Sequence, residues 1–509
     1  NSNPKPSAFS KSVLMRSVRV PFIHREDNFN SISLEGLIPR MLTEEGPALV
    51  VGDVNQDSLE DIFIGGAKGQ PGELFVQQID HTFKTSYLFE EDSNAEDTDA
   101  AFFDADNDND LYLIVVSGGQ EEIKVLSNLQ PRLYINDGQG VFSKSKELPQ
   151  LYLHASCVRP CDFDNDGDND LFIGASVIPM LYGMAPPSYL LLNDGSGKFS
   201  LINKWLGNSQ FDNPNMNRPG MIRDATWADL NGDDLMDLVL VGDWMPITIL
   251  QQSKNHEFAN VTSKSKVDST HGWWNSVCVN DFDKDGDLDI VAGNFGLNSR
   301  LRASKNESLT MYLGDFDSNG SSDHVLVYYN EGRAYPFTSR DQLVKQLPSL
   351  KRKFLRYADY RDVLLEDIVT PQQKGNSAGL KAYTLKSSYF ENSPTGFIER
   401  PLPLIAQSFP IHVILSDDFN SDGILDLLVA GNETAIQPEI GPMDAGLGLI
   451  LLGNGRGGFD YLPPPKSGLY LRGNVRSGAI LDNVKGTNKR FIFGVNNDSV
   501  RLYQFSNPN

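Results

Sequence analysis

The chain has 509 residues, 40% of them hydrophobic and 22% charged, a composition typical of a soluble globular protein with a large core. Its 44 basic and 67 acidic residues give a formal net charge of −23, which argues against binding to nucleic acid or to an anionic membrane surface. No apolar run reaches the length of a membrane-spanning helix, and the first residues lack a signal-peptide core, so we expect a processed product or a fragment of a longer protein.

An Asp-rich pattern of nine residues recurs along the chain. Positions 1, 3 and 5 hold Asp or Asn, position 9 holds Asp, and an apolar stretch follows, such as LFIGAS after Asp170. In one weaker copy, Tyr112 stands where the last Asp is expected. In chain order the copies are Asp53–Asp61, Asp104–Tyr112, Asp162–Asp170, Asp229–Asp237, Asp281–Asp289, Asp315–Asp323 and Asp418–Asp426.

The spacing of these oxygen-bearing residues is typical of a calcium loop. Side chains at positions 1, 3, 5 and 9 and the backbone carbonyl at position 7 can form one oxygen shell around a tight turn, for which Gly or a small polar residue at position 6 permits the bend. A carboxylate at position 9 followed by an apolar run distinguishes the pattern from an EF-hand, which has Glu at position 12 and then a helix.

We therefore predict about six structural calcium ions. The sequence leaves open whether the weaker copy, which ends at Tyr112, holds an ion. The predicted metal ligands, loop by loop, are Asp53, Asn55, Asp57, Leu59 and Asp61; Asp104, Asp106, Asp108 and Asp110; Asp162, Asp164, Asp166, Asp168 and Asp170; Asp229, Asn231, Asp233, Leu235 and Asp237; Asp281, Asp283, Asp285, Asp287 and Asp289; Asp315, Asp317, Asn319, Ser321 and Asp323; Asp418, Asn420, Asp422, Ile424 and Asp426.

The intervals between copies predict an all-β fold. Most copies start at spacings that fit one four-stranded blade of a β-propeller, with a buried strand after each loop. Asp315 follows Asp281 too closely to start a new blade, so we expect an extra ion loop between inner strands of the same blade. A degenerate copy begins near Ala479 and would start its blade near Asp482. The prediction is a seven-bladed propeller, with eight blades as the alternative.

The predicted organisation has an N-terminal extension and leading strand at residues 1–45 and the propeller at residues 46–509. A helical insertion is expected at about residues 339–370. This insertion holds a basic cluster, which is either a solvated helix surface or a docking site for an acidic partner or a neighbouring domain. The cluster consists of Lys351, Arg352, Lys353 and Arg356.

Several residues outside the loops are candidates for contact with a partner or ligand. Tryptophan planes can stack on sugar rings or anchor a protein, so Trp244, Trp273 and Trp274 are candidate ligand-binding residues, although such segments beside strands are more often core. Asn294 and Asn298 lie either at a funnel mouth or in a structural turn. The Pro- and Met-rich segment Val177–Ser188 suggests an apolar contact surface.

The residues resemble a known family. The Asp loops are similar to those of FG-GAP/VCBS repeat proteins, whose blades are like those of the integrin α-subunit propeller. The phrases GPALVVGDVNQDSLEDIFIGGAKGQPGELFVQQ, VGDWMPI, GWWNSVCVNDFDKDGDLDIVAGNFGLNS and SRDQLVKQLPSLKRKF resemble surface proteins of Bacteroidetes related to the cartilage acidic protein family. That resemblance implies a secreted or surface-attached protein, often longer than this chain, with an ASPIC/UnbV-type module or another propeller upstream.

Three functions remain open. The first is a non-catalytic, calcium-stabilised scaffold that binds proteins at the cell surface, in or beside an outer-membrane nutrient-uptake assembly. The second is an extracellular polysaccharide-binding module, which exposed aromatic residues in one groove would favour. The third is a polysaccharide-cleaving enzyme, and against it the sequence holds no HExxH, GxSxG or Walker motif.

Overall fold

The structure is a computed structural model and describes residues 14–29, 32, 35–119, 125–206, 217–254, 257–481 and 489–506. These residues form an all-β protein, with many short antiparallel strands and few helices. The strands assemble into eight sheets. None of the helices formed by the described residues has the length and apolar character needed to cross a bilayer.

The first described strand is β1, Leu14–Ile23, and four sheets follow it in succession. Within each sheet, consecutive strands pair with each other in chain order. Sheet 1 contains β2 Leu49–Gly52, β3 Asp61–Ile64, β4 Glu73–Gln77 and β5 Phe83–Leu88; sheet 2 contains β6 Glu96–Asp104, β7 Leu111–Gly118, β8 Arg132–Asn136 and β9 Phe142–Lys144; sheet 3 contains β10 His154–Cys161, β11 Asp170–Val177, β12 Tyr189–Asn193 and β13 Phe199–Leu201; sheet 4 contains β14 Met221–Ala228, β15 Asp237–Met245, β16 Thr248–Gln252 and β17 Phe258–Asn260, with the short β18 Gly272–Trp273 paired to β15.

Sheet 5 is interrupted by a complete additional sheet. The chain leaves sheet 5 after its second strand, forms the inserted sheet, and returns to build the outer two strands of sheet 5. Sheet 5 contains β19 Ser276–Asn280, β20 Asp289–Gly293, β25 Ser388–Glu391 and β26 Ile398–Pro401; the inserted sheet contains β21 Leu309–Gly314, β22 Asp323–Asn330, β23 Arg333–Pro336 and β24 Ala378–Ala382.

This insertion corrects the expectation for the Asp315–Asp323 loop. The loop joins β21 to β22 within the inserted sheet and does not lie between inner strands of the blade that holds Asp281. The short helices of the insertion are α1 Arg340–Gln346, α2 Leu365–Ile368 and α3 Pro371–Asn376. Their apolar residues pack on the inserted sheet, where Leu343 and Val327 share one cluster.

The last two sheets complete the chain. Sheet 6 contains β27 Ile411–Asp417, β28 Asp426–Gly431, β29 Leu449–Gly453 and β30 Phe459–Leu462, and it is followed by α4 Pro464–Ser467; sheet 7 contains β31 Asn474–Leu481, β32 Arg490–Asn496 and β33 Ser499–Ser506. The fourth strand of sheet 7 is β1, which pairs antiparallel with β33. The first and the last described strands therefore share one sheet. The predicted loop start at Asp482 lies outside the described residues.

The core is divided among the interfaces between sheets. The first strands contact one another in a cycle, in which β2 contacts β6, β6 contacts β10, β10 contacts β14, β14 contacts β19, β19 contacts β27, β27 contacts β31, and β31 contacts β2. A separate apolar cluster fills each interface between consecutive sheets. The cluster between sheets 7 and 1 holds Phe22, Ile62 and Leu502, so β1 contributes to this last interface. The inserted sheet lies outside the cycle.

Candidate metal centres in the Asp-rich loops

Every Asp-rich loop occupies the same place in its sheet, the connection from the first strand to the second. In six of the seven loops, the Asp at position 9 is the first residue of the second strand, as Asp170 is of β11. The second strands are buried along most of their length, so the Asp at their first position is buried as well. The apolar run after each loop therefore fixes the position of the closing carboxylate.

Backbone N–H groups orient the carboxylate at position 1. In the Asp418 loop, Asp418 Oδ1 accepts a hydrogen bond from the N–H of Asp422 at 3.1 Å, and Oδ2 accepts one from the N–H of Gly423 at 2.7 Å. Asp162 makes the equivalent two bonds to the loop that it begins. A turn folded around its first carboxylate brings the other loop oxygens towards the same point.

In the Asp418 loop, two further N–H groups hold the carboxylate at position 9. Asp426 Oδ2 accepts a hydrogen bond from the N–H of Phe419 at 3.0 Å, and Oδ1 accepts one from the N–H of Gly453 on the third strand at 2.8 Å. The third strand donates in the same way to Asp61, Asp170 and Asp237. In these four loops the closing carboxylate thus links the loop to its sheet.

The loops also share a backbone conformation that the sequence predicts only in part. Position 6 has a positive φ in every loop, as expected for a residue that permits the bend. Position 4 is left-handed as well, although it holds Gln56 and Lys284, residue types that disfavour this region. The position-4 φ angles are 59° at Gln56, 61° at Asn107, 60° at Asn165, 72° at Gly232, 66° at Lys284, 61° at Ser318 and 59° at Ser421. The loop geometry itself imposes this conformation.

Carboxylate oxygens converge in four of the loops. One oxygen from each of three Asp residues lies within 4.8 Å of the other two. The remaining three loops hold Asn55, Asn231 or Asn420 at position 3, where an amide oxygen takes the place of a carboxylate. The four clusters are Asp104, Asp106 and Asp108; Asp162, Asp164 and Asp170; Asp281, Asp283 and Asp285; and Asp315, Asp317 and Asp323.

The electrostatics of the loops favour a bound cation. Burial first, and the neighbouring loop carboxylates to a smaller extent, raise the pKa of Asp61 to about 7 and that of Asp170 to about 8. Asp168 Oδ1, Asp170 Oδ2 and Asp283 Oδ1 are buried and have no hydrogen-bond donor among the described residues. A divalent cation at the centre of each loop would neutralise these oxygens and complete their coordination. Because all the donors are oxygens, a hard cation such as Ca²⁺ fits the loops better than a metal that prefers nitrogen or sulfur.

The Asp104 loop differs from the others. Tyr112 replaces the closing Asp, and its hydroxyl donates a hydrogen bond to Asp106 Oδ2 at 3.1 Å. The Tyr112 ring is buried, so it fills the place of the carboxylate without supplying a charge. This loop keeps its turn but loses one of its anionic ligands.

Sequence reasoning missed a set of amides that tie neighbouring sheets together. On the third strand of sheet 3, Asn193 Nδ2 donates to the carbonyl of Ala105, at position 2 of the preceding loop, at 2.7 Å. Asn136 donates to Val54 at 2.8 Å in the same arrangement. Gln252 and Asn392 bond likewise to the carbonyls of Phe163 and Leu230. The sequence signal is an Asn or Gln at the end of the third strand, where only a turn was expected.

The tryptophans proposed to bind a ligand are buried instead. Trp273 and Trp274 have no exposed surface and Trp244 is 5% exposed, so none offers a face to a sugar or a partner. Trp244 and Trp273 pack edge to face at 5.1 Å in a cluster beside the inserted sheet, and Trp274 lies between sheets 4 and 5.

The two candidate asparagines also have different surroundings. Asn294 is buried and its Oδ1 accepts hydrogen bonds from the N–H groups of Trp273 and Phe295, which makes it part of a structural turn. Asn298 is exposed. Of the five predicted ligand-binding residues outside the loops, Asn298 alone is at the surface.

Comparisons with known proteins agree with the repeat assignment. Residues 229–292, from the Asp229 loop to β20, match the family described as FG-GAP-like repeat. No curated protein matches the chain significantly. The V. cholerae biofilm matrix protein Bap1 aligns in structure over 97% of this chain and 92% of its own, with 11% identity and a TM-score of 0.39. A superposition this loose identifies neither fold nor function.

Proposed function

We propose that the protein is an extracellular, non-catalytic, seven-bladed β-propeller that is stabilised by calcium and binds a protein partner. The observation that carries the proposal is the cycle of first-strand contacts, with an apolar cluster between each pair of consecutive sheets. In this reading, sheets 1 to 7 are the blades, β1 and β33 close the ring, and the inserted sheet is a projection from blade 5. Residues 229–292 would then be one representative repeat of the ring.

Calcium has a structural role in this proposal. Extracellular calcium modules bind at about 10⁻⁴–10⁻³ M, which suits loops whose ligands are partly exposed and an environment outside the cytoplasm. Six ions would reduce the large negative charge that the loops concentrate on one end of the blades. The Asp104 loop is proposed to be empty because Tyr112 supplies no carboxylate.

The inserted sheet supplies the proposed partner surface. Leu355 is 70% exposed and Tyr357 is 68% exposed, in a connection between the short helices. The exposed Lys351, Arg352 and Arg356 are their neighbours along the chain and form no ion pair with another described residue. We call these five residues the basic tip. Exposed basic residues next to exposed apolar ones, on a chain with a net charge of −23, are suited to an acidic protein partner.

Polysaccharide binding and cleavage are the alternatives to this proposal. The binding alternative depended on exposed aromatic planes, and the tryptophans that suggested it are buried. A place beside an outer-membrane uptake system, and the likeness to the cartilage acidic protein family, rest on the resemblance in sequence. They would be tested by the identity of the partner.

The test is purification of the native protein from its own cell envelope in calcium and in EDTA. The variant Lys351→Glu/Arg352→Glu/Arg356→Glu reverses the tip charges, and Lys198→Glu/Lys264→Glu/Lys386→Glu makes the same charge change at exposed sites elsewhere. We expect a stoichiometric protein partner with the wild type and the control variant, lost with the tip variant. Recovery of the protein alone, or a partner that the tip variant retains, would contradict the proposed surface.

A further inference from the structure

The first strands of sheets 1 to 7 all line one cavity. Its volume is about 270 Å³, and it is contacted by residues of β2, β6, β10, β14, β19, β27 and β31. A smaller cavity of about 70 Å³ continues from it, because Thr98, Ser156 and Arg223 line both. Since the first strands form a cycle, the two cavities lie along its axis.

In the sequence of each first-strand segment, one residue lies six residues before the start of the Asp-rich pattern, which for Arg476 is the degenerate start at Asp482. In five strands this residue forms a β-bulge, as Ser156 does between Ala155 and Cys157. A bulge re-aims a side chain and is frequent beside binding sites. All of these residues except Pro47 line the smaller cavity, and they are Pro47, Thr98, Ser156, Arg223, Asn275, His412 and Arg476. We call them the axial ring.

The ring is unlike the rest of the repeat, because its side chains differ from blade to blade. The loop positions need similar oxygen donors in each sheet, whereas the ring presents hydroxyl, amide, imidazole and guanidinium groups to one space. The segment that holds Arg40 and Glu45 also lines the smaller cavity. Arg40 is 2% exposed, and its Nη1 donates to Asn275 Oδ1 at 2.8 Å.

Two of the three carboxylates that line the smaller cavity are paired, and Glu44 is the third. Glu433 Oε1 accepts a hydrogen bond from Arg476 Nη2 at 2.8 Å, and Glu45 is paired with Arg223. Next to the cavity, Asp243 Oδ1 accepts a hydrogen bond from Arg40 Nη2 at 2.8 Å. The lining arginines Arg40, Arg223 and Arg476 therefore equal the lining carboxylates in number.

Two donors and one acceptor remain unpaired in the same space. Arg40 Nε, Asn275 Nδ2 and Glu45 Oε2 are buried and have no hydrogen-bond partner among the described residues. His412 Nε2 lies 3.5 Å from Glu433 Oε2. A buried N–H group without an acceptor costs free energy, so these donors require water or a ligand that brings acceptor oxygens.

We propose that the axial cavity binds a small oxyanion, a carboxylate group, with Asn275 Nδ2 and Arg40 Nε as its donors. The smaller cavity has room for several water molecules or for one group of that size. The larger cavity continues along the first strands past Asp99 and Thr226, towards the Asp-rich loops. The carboxylate is therefore carried either by a free small acid or by the uronate end of an acidic sugar chain. This site needs the ring of first strands but neither calcium nor the basic tip.

Isothermal titration with sodium acetate and with sodium glucuronate, at constant ionic strength and in calcium, tests the site. Glucose is the neutral control for glucuronate. Asn275→Asp keeps an acceptor for Arg40 but replaces the free donor with an anionic oxygen, and Asn306→Asp makes the same change at an exposed position. Asn275→Ala removes the donor without adding charge. It replaces Asn275→Asp in the titrations if that variant is poorly folded.

We expect saturable binding of one or both anions, weakened about tenfold or more by the Asn275 variants and unchanged by Asn306→Asp. Glucuronate binding at least about tenfold tighter than acetate would assign a sugar-borne carboxylate, and similar affinities would assign a free acid. No saturable binding of either anion, or equal affinity in the Asn275 variants, would show that the cavity holds only water and would overturn the proposal. Neither result bears on calcium binding or on the protein partner.

Discussion

The hydroxyl of Tyr112 donates a hydrogen bond to Asp106 across the Asp104 loop, at 3.1 Å. In the six other loops, an Asp occupies the place of Tyr112 and joins the loop to its sheet. The same turn therefore forms with and without the closing carboxylate. Folding of the loop does not require the full set of ligands that would hold an ion.

This difference gives a prediction about calcium stoichiometry. Asp106→Ala should leave the number of bound calcium ions unchanged, because the Asp104 loop is proposed to be empty. Asp283→Ala removes the oxygen ligand at the same position of a loop with a complete set of carboxylates and should remove about one ion. Metal analysis by mass spectrometry after equilibration in calcium measures both. Loss of an ion in Asp106→Ala would show that Tyr112 does not prevent binding.

The tie between Asn193 and Ala105 predicts a cost to stability. Asn193→Ala leaves the buried carbonyl of Ala105 without its side-chain donor, so the free energy of unfolding should fall by about 1–3 kcal/mol. Asn306→Ala, at an exposed site, should change it by less than about 0.5 kcal/mol. Urea unfolding in calcium compares the two variants. Equal stabilities would argue against a stabilising hydrogen bond from Asn193 to Ala105.

Two ion pairs formed by residues of sheet 2 should differ strongly in their contribution to the free energy of unfolding. Arg132 is paired with Asp97, and both are about 5% exposed, so Arg132→Met leaves a buried carboxylate unpaired and should cost about 3–5 kcal/mol. Lys144 is paired with Asp92 but is 43% exposed, so Lys144→Met should cost about 1 kcal/mol or less. Chemical denaturation measures the difference. A small effect of Arg132→Met would mean that Asp97 becomes hydrated or protonated at little cost.

His412 predicts how stability depends on pH. Burial, with the nearby Arg476, lowers the pKa of His412 to about 4 in the folded protein, from an ordinary value of 6.5. The unfolded chain therefore binds the proton first, and stability is lost as the pH falls from 6.5 towards 4. Between pH 7 and pH 5 the loss due to His412 is about 2 kcal/mol.

A glutamine at this position carries no titrating proton. The stability of His412→Gln relative to the wild type should therefore improve by about 2 kcal/mol as the pH falls from 7 to 5. His81→Gln, at an exposed site, is the control and should track the wild type. Thermal melts over this pH range give the profile, and parallel curves for His412→Gln and the wild type would refute the assignment.

The sequence predicted the local features of the loops because these depend on residues close together in the chain. Nine consecutive residues specify the oxygens, the bend at position 6 and the strand that follows, and Tyr112 was recognised as an exception. The left-handed residue at position 4 was missed, because Gln56 and Lys284 carry no propensity for it.

Features that depend on distant parts of the chain were not accessible to the same reasoning. The Asp315 loop was assigned to the wrong sheet, since the pairing of β20 with β25 across the whole insertion leaves no local signal. Trp273 and Trp274 were left open between ligand binding and the core, and the packing of neighbouring sheets buries them. The axial ring was also missed. Its residues lie at a constant distance before the Asp-rich pattern, but the β-bulges that distinguish them leave no signal in the spacing.

The most direct test of the account is a melt in calcium and in EDTA, combined with a count of bound calcium. We expect about six bound ions. With calcium at about ten times the dissociation constant of each loop, these ions should stabilise the fold by on the order of 8 kcal/mol. Removing calcium should therefore lower the melting temperature by at least about 5 °C. An unchanged melting temperature in EDTA, with no calcium bound, would contradict the claim that the Asp-rich loops stabilise this fold by holding ions.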